Sequence, residues 1–234
     1  MKHLLITLLS LLIFISCKQE SKKETPVKET NTIDLETTKV SNQAPVIDYA
    51  SFGMVDTDIP KGLEVGDIAP DVSFPADEDD KRYLPNVYKN QPVVIIFYRG
   101  YWCPACNKYL SELNSRVKEI EAKGAKVIAF TPETNENIVQ TRKKSGLGIA
   151  VYSDTDGSIM KAFDVDYAVT EDYQNKIQEK LNTSIKETNN SETAVLPVPA
   201  TFIINKEGKI VYKHFDPDYH NRASVDDILA NIPE

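Results

Sequence analysis

Apolar residues in this chain fall into short blocks, and the spacing within each block names an element. Val93-Val94-Ile95-Ile96-Phe97-Tyr98 is an unbroken β-branched and aromatic run, the pattern of a central strand covered on both faces. Further on, Tyr109, Leu110, Leu113, Val117 and Ile120 recur at three- and four-residue steps. This predicts an amphipathic helix with Pro104 in its first turn and Gly124 closing it. Val127-Ile128-Ala129-Phe130 predicts the next buried strand. Together the blocks make a strand–helix–strand unit.

The remaining blocks extend that unit. Val72 and Phe74 suggest a short strand, and the acidic Asp77-Glu78-Asp79-Asp80 a solvated turn. Ile138 and Val139 sit on a helix ending near Ser145-Gly146, Ile149 to Tyr152 form a strand, and Ile159, Met160, Ala162 and Phe163 fit a short helix. Asp154 and Asp156 read as turn and cap residues. From Asp164 to Leu196 the composition turns polar, which predicts an insertion at about 164–196 with one helix around Tyr173 to Leu181. Pro197-Val198-Pro199 leads into a strand at Thr201-Phe202-Ile203-Ile204. Lys206-Glu207-Gly208 turns the chain into a second strand through Lys209 to Tyr212. Ser224 caps a last helix carrying Val225, Ile228 and Leu229.

The start of the chain has a different pattern. Leu4 to Ile15 is almost wholly apolar after a short basic start, too short for a comfortable membrane span. It reads as a secretory signal, and Phe14-Ile15-Ser16-Cys17 resembles a bacterial lipobox. The alternative is an uncleaved apolar anchor with an incidental cysteine, and both readings place the body of the protein outside the cytoplasm. Residues 1–16 are thus expected to be a lipoprotein signal peptide and 17–50 a flexible tether, because Lys18 to Ala44 shows no periodic stripe to offset its ordering entropy. Residues 51–234 are the expected folded domain. The expected location is a Gram-negative cell envelope, as an outer-membrane or periplasm-facing lipoprotein held in the membrane through lipid on Cys17.

Composition removes some functions. A formal net charge of −8 over 234 residues, with no long Lys/Arg run, argues against nucleic acid as a partner. Three cysteines are an odd number for an exported chain, and lipidation of Cys17 would leave Cys103 and Cys106 as a closed pair.

That pair lies in Arg99-Gly100-Tyr101-Trp102-Cys103-Pro104-Ala105-Cys106, at the junction of the central strand and the amphipathic helix. A cysteine at a helix N-terminus meets unpaired N–H groups and the positive end of the dipole, so Cys103 is expected to have a lowered pKa. Cys106, one turn on and more buried, can close a small disulfide. One thiol attacks and the other resolves the mixed disulfide. Trp102 is expected to cover the pair, and Arg99 either adds positive potential or lies on the surface at the strand end. A structural zinc site would need a second ligand pair, whereas His214 and His220 are isolated, and no cofactor is called for.

The stretch from about Gly62 to Ile232 resembles the thioredoxin-like superfamily, in its alkyl hydroperoxide reductase/thiol-specific antioxidant (peroxiredoxin-like) branch. Gly66-Asp67-Ile68-Ala69-Pro70, Phe97 to Cys106 and Pro199-Ala200-Thr201-Phe202-Ile203-Ile204 carry the resemblance. It implies an α/β thioredoxin-like fold with a central mixed sheet flanked by helices. It also implies a cis bond before Pro199, packed against the disulfide, with Pro199, Trp102 and Arg99 shaping a substrate groove.

Peroxiredoxins resemble Phe-Tyr-Pro-x-x-x-Thr-x-x-Cys at this strand end. Here Arg99 stands at the proline, Cys103 at the threonine and Cys106 at the peroxidatic cysteine, and the family arginine expected near Thr201 has no match. The implied activity is therefore thiol–disulfide exchange by a Cys103–Cys106 dithiol with protein thiols or disulfides, served by an upstream thiol reductant or oxidant. The alternative is a thiol peroxidase acting on small peroxides, with Cys106 peroxidatic and Cys103 resolving. A third class, copper handling without catalysis, would use His214.

Overall fold

The computed structural model describes residues 47–77 and 80–234. The expected signal peptide, the lipidation at Cys17, nearly all of the tether and the centre of the acidic turn lie outside them. A 3-10 turn at Tyr49–Phe52 opens the chain. Strands β1 (Ser73–Asp77) and β2 (Asp80–Tyr83) pair as an antiparallel hairpin that runs into helix α1 (Leu84–Tyr88). The strand–helix–strand unit follows as β3 (Val93–Phe97), α2 (Pro104–Ala122) and β4 (Lys126–Thr131). Then come α3 (Asn135–Ser145), β5 (Ala150–Ser153) and α4 (Ser158–Ala162). After these the chain forms β6 (Asp166–Ala168), α5 (Glu171–Leu181), α6 (Ile185–Asn189) and β7 (Val195–Pro197). It closes with β8 (Ala200–Ile204), β9 (Ile210–Phe215) and α7 (Val225–Asn231).

The five-stranded sheet has the order β5-β4-β3-β8-β9. Strands β3, β4 and β5 are parallel, and β8 and β9 run antiparallel to their neighbours, so the sheet is mixed as expected. Every residue of β3 is buried. Because side chains alternate across a strand, Val94, Ile96 and Tyr98 join α2, α5 and α7 on one face. Val93, Ile95 and Phe97 join Phe74, Phe130, Phe163 and Phe202 on the other. Burying each of these aliphatic and aromatic side chains contributes about 1.5–3 kcal/mol. Covering both faces is the reason the run is apolar at every position.

Three local expectations change. The polar insertion is a closed excursion: β6 and β7 pair antiparallel at its base, and two helices rather than one lie between them. Its helix α5 turns Tyr173 and Ile177 into the same core cluster as the cysteines. Helix α1, whose apolar positions are too few to show a period, is additional. No cis peptide bond occurs among the described residues, so the bond before Pro199 is trans rather than cis. Trans is the form an X–Pro bond favours intrinsically. Asp154 caps α4 as expected, accepting from the amides of Ile159 (3.0 Å) and Met160 (2.7 Å).

Candidate active site

Strand β3 ends at Phe97, and six residues later the chain enters α2 with Cys103 as its N-cap. Cys103 is extended at φ −83°, ψ 108°, and its Sγ accepts from the Cys106 amide at 3.3 Å. Pro104 follows in the first turn, where its missing N–H leaves no bond unmade. Cys106 falls on the buried face of α2 with Tyr109, Leu110 and Leu113. Both thiols are free and fully buried, at 0% exposure each.

Arg99 is interior, not at the surface: it is 2% exposed. Its Nη2 donates to Cys103 Sγ at 3.1 Å and its Nη1 to the Tyr173 hydroxyl at 2.7 Å. The Tyr219 ring lies 3.4 Å from the guanidinium carbon and the Trp102 ring 5.3 Å, both in cation–π range. Trp102 is buried, so its place beside the pair agrees with the sequence. Pro199 is buried in the link between β7 and β8, and the pairing of Ile96 with Thr201 brings that link to the β3 edge that carries the cysteines.

A second guanidinium that the sequence did not point to serves the other sulfur. Arg222, in the segment between β9 and α7, places Nη1 4.0 Å from Cys106 Sγ and donates from Nη2 to the Phe97 carbonyl at 3.2 Å. Its guanidinium carbon sits 4.3 Å from the centre of the Tyr109 ring. A cleft of about 530 Å³ opens beside it, lined in part by Pro104, Lys108, Tyr109, His220 and Val225. Tyr219 and Arg222 lie three residues apart, so one short segment reaches Arg99 through Tyr219 and the Cys106 sulfur through Arg222.

Glu133 was also missed, because Thr131-Pro132-Glu133-Thr134 reads as an ordinary turn. The side chain is 0% exposed and accepts from the Tyr101 amide and from the Thr141 hydroxyl at 3.0 Å, which ties the active-site loop to β4 and α3. Burial pushes its carboxyl up to about 7, against the pull of those hydrogen bonds. No local signal marks Tyr173, Tyr219 or Arg222, nor Tyr167, which is buried in the core cluster that holds the cysteines; the chain's folding brings all four to this site.

The electrostatics reverse the expected order of the thiols. Burial raises both, but the hydrogen bond with Cys103 and the charges of Arg99 and Arg222 draw Cys106 well below the usual thiol range. Cys103 is pushed well up by burial and by the neighbouring Cys106 sulfur, with Arg99 opposing. The helix N-terminus acts at Cys103 as the sequence argument required, yet the shared proton stays there and the negative charge goes to Cys106. The first ionisation belongs to the pair, since one thiolate opposes a second beside it. Burial also disfavours the charge on Arg99, and the facing sulfurs more than restore it. The site therefore sets two guanidiniums against two sulfurs, of which Cys106 is the one favoured as thiolate.

His214 lies on β9 opposite Thr201, and no group of three His, Cys, Asp or Glu side chains placed to hold a metal occurs among the described residues.

The AhpC/TSA family model matches residues 65–213, most of the described chain. The chain belongs to the AhpC/TSA family. It is 26% identical over 136 residues to the thiol-disulfide oxidoreductase ResA of Bacillus subtilis (strain 168), covering 58% of this chain and 59% of that one. Over 134 residues it is 23% identical to peroxiredoxin bcp1 of Schizosaccharomyces pombe, covering 57% and 68%. The crystal structure of peroxidoxin BcpB from Mycobacterium tuberculosis aligns with a TM-score of 0.54 at 19% identity, over 72% of this chain and 96% of that one, which shows a shared fold. This AhpC/TSA member is an oxidoreductase of the thiol-redox class.

Proposed function

We propose that this family member is a lipid-anchored, extracytoplasmic thiol–disulfide oxidoreductase that works through a Cys103–Cys106 dithiol/disulfide. The observation that carries the reading is the placement of both sulfurs in the first turn of α2, in contact with each other and each facing its own arginine. Cys103 bonds the client and Cys106 leaves or resolves, because a sulfur stabilised as thiolate is the better leaving group. Neither sulfur is exposed, so exchange requires local opening. The segment bearing Tyr219 and Arg222 packs on Arg99 and on the Cys106 sulfur and is the part that would open. The clients are protein thiols or disulfides, and the similarity to ResA supports that class. Lipidation at Cys17 rests on the apolar run and the Ser16-Cys17 pattern.

Trapping tests the role of each thiol. Cys106→Ser should accumulate a mixed disulfide on Cys103 with a disulfide-bearing client, whose other sulfur leaves as a thiol, and Cys103→Ser should not. Mass analysis of the mature N-terminus tests the anchor: an acylated Cys17 supports it, and an intact Met1 refutes it.

A second reading has an observation of its own. The thiolate character of Cys106 and the nearby Arg222 suit a thiol peroxidase, in which Cys106 attacks a peroxide, becomes sulfenic acid and condenses with Cys103. Fast peroxide consumption by Cys103→Ser, abolished in Cys106→Ser, would select this reading over exchange.

A further inference from the structure

We infer that the Cys103–Cys106 disulfide is an electron acceptor: it oxidises pairs of substrate thiols to disulfides, because each sulfur faces an arginine and neither arginine has a carboxylate partner among the described residues. The inference rests on the dithiol reading above and gives that reaction its direction.

The partners of Arg99 are the sulfur of Cys103, the phenol of Tyr173 and the faces of Tyr219 and Trp102, while its Nε has no partner. Arg222 has the sulfur of Cys106, the carbonyl of Phe97 and the face of Tyr109, and its Nε is likewise unpartnered. Among the described residues neither forms a salt bridge with a carboxylate. Asp218 feels the charge of Arg99, but bonds instead to His220. A buried cation without an anion is strongly unfavourable. Closing the disulfide removes the negative charge that the reduced pair can carry and leaves Arg99, 2% exposed, with no carboxylate bonded to it among the described residues.

The protein fold therefore favours the reduced pair. A disulfide whose reduced form is stabilised has a high potential and acts as an oxidant. The opposing effect, restriction of the unfolded chain by the cross-link, is small for two cysteines three residues apart.

In the reaction a client thiolate attacks Cys103 Sγ. The Cys103–Cys106 bond breaks, Cys106 departs with the electron pair as a thiolate beside Arg222, and a client–Cys103 disulfide forms. A second client thiolate attacks the client sulfur of that bond, the client disulfide forms, and Cys103 leaves and takes up a proton. Two client thiols lose two electrons and two protons. The pair gains both electrons and one proton, and the other proton enters the solvent.

The test uses the full chain at pH 7, oxidised with diamide or reduced with dithiothreitol, with the reagent removed. Mass spectrometry then locates the disulfide. The reduced protein should melt at the higher temperature. If the oxidised protein melts higher, the inference is overturned while the dithiol reading stands. If diamide yields no Cys103–Cys106 bond, the dithiol reading itself fails and takes the inference with it. Equilibration in glutathione buffers adds a second measurement. Arg99→Met should shift the pair about tenfold or more toward the disulfide, about 30 mV for a two-electron couple, and Arg99→Lys should restore part of the shift. An unmoved equilibrium in a folded Arg99→Met protein also overturns the inference. Should that variant not fold, the melting comparison on the natural chain decides alone.

Discussion

Nη1 of Arg222 lies 4.0 Å from Sγ of Cys106 although 116 residues separate them in the chain. Its Nη2 is held by the last carbonyl of β3 and its plane lies over Tyr109, so the guanidinium is positioned from two sides. Replacing it with Met removes a charge that stabilises the Cys106 thiolate. The Cys106 thiol pKa should rise, so the midpoint of the pH profile of iodoacetamide alkylation should move to higher pH. An unchanged midpoint in the folded variant would show that Arg99 alone activates the pair.

Gly100 is tightly enclosed between the arginine and the cysteines. Its φ is +154°, and a Cβ there would lie 2.5 Å from Trp102 Nε1 and 3.1 Å from Glu133 Oε1. Trp102 is buried and has nowhere to retreat. Gly100→Ala should lower the unfolding free energy by about 1–3 kcal/mol, the usual cost of overpacking, as read from urea denaturation of the reduced protein.

Glu133 makes stability depend on pH in a definite direction. Its carboxyl titrates at about 7 in the folded protein against 4.5 ordinarily, so the folded state binds the proton more tightly than the unfolded state. The resulting destabilisation is absent below 4.5, develops as pH rises, and is complete above about 7. The shift corresponds to at most about 3 kcal/mol. Asp154, also raised to about 7 by burial, adds a slope of the same sign. The informative quantity is therefore a difference: the stability of Glu133→Gln relative to the natural protein should increase between pH 4.5 and 7. A flat difference across that window would mean that Glu133 is not the titrating group.

Tyr173 brings the polar insertion into the site through its 2.7 Å bond to Arg99. Tyr173→Phe leaves a buried guanidinium N–H without its partner, at a cost of about 1–3 kcal/mol. The reduced protein should lose stability by that amount in denaturant. A substitution at exposed Glu179 on the same helix should leave it within experimental error.

The local pattern alone carried the central part of the fold. Six successive apolar residues require a strand covered on both faces, and the three- and four-residue spacing from Tyr109 to Ile120 requires one helix face in the core. These periods are properties of single segments, so the strand–helix junction and the two cysteines at it could be placed without knowing what packs around them. The environment of those cysteines was decided elsewhere. Arg99 reads equally well as a surface residue until Tyr173 and Tyr219 arrive from distant segments to enclose it. Arg222, Glu133 and Tyr167 have no periodic signature, because a charged or phenolic side chain becomes interior only when other elements supply its partners. The same holds for the order of the two thiols. A helix N-terminus acts on Cys103 from its own segment, but the hydrogen bond with Cys103 and two guanidiniums, set by tertiary packing, outweigh burial at Cys106 and make it the more acidic thiol. The bond before Pro199 is trans, the form that X–Pro bonds favour intrinsically, whereas the family resemblance pointed to cis.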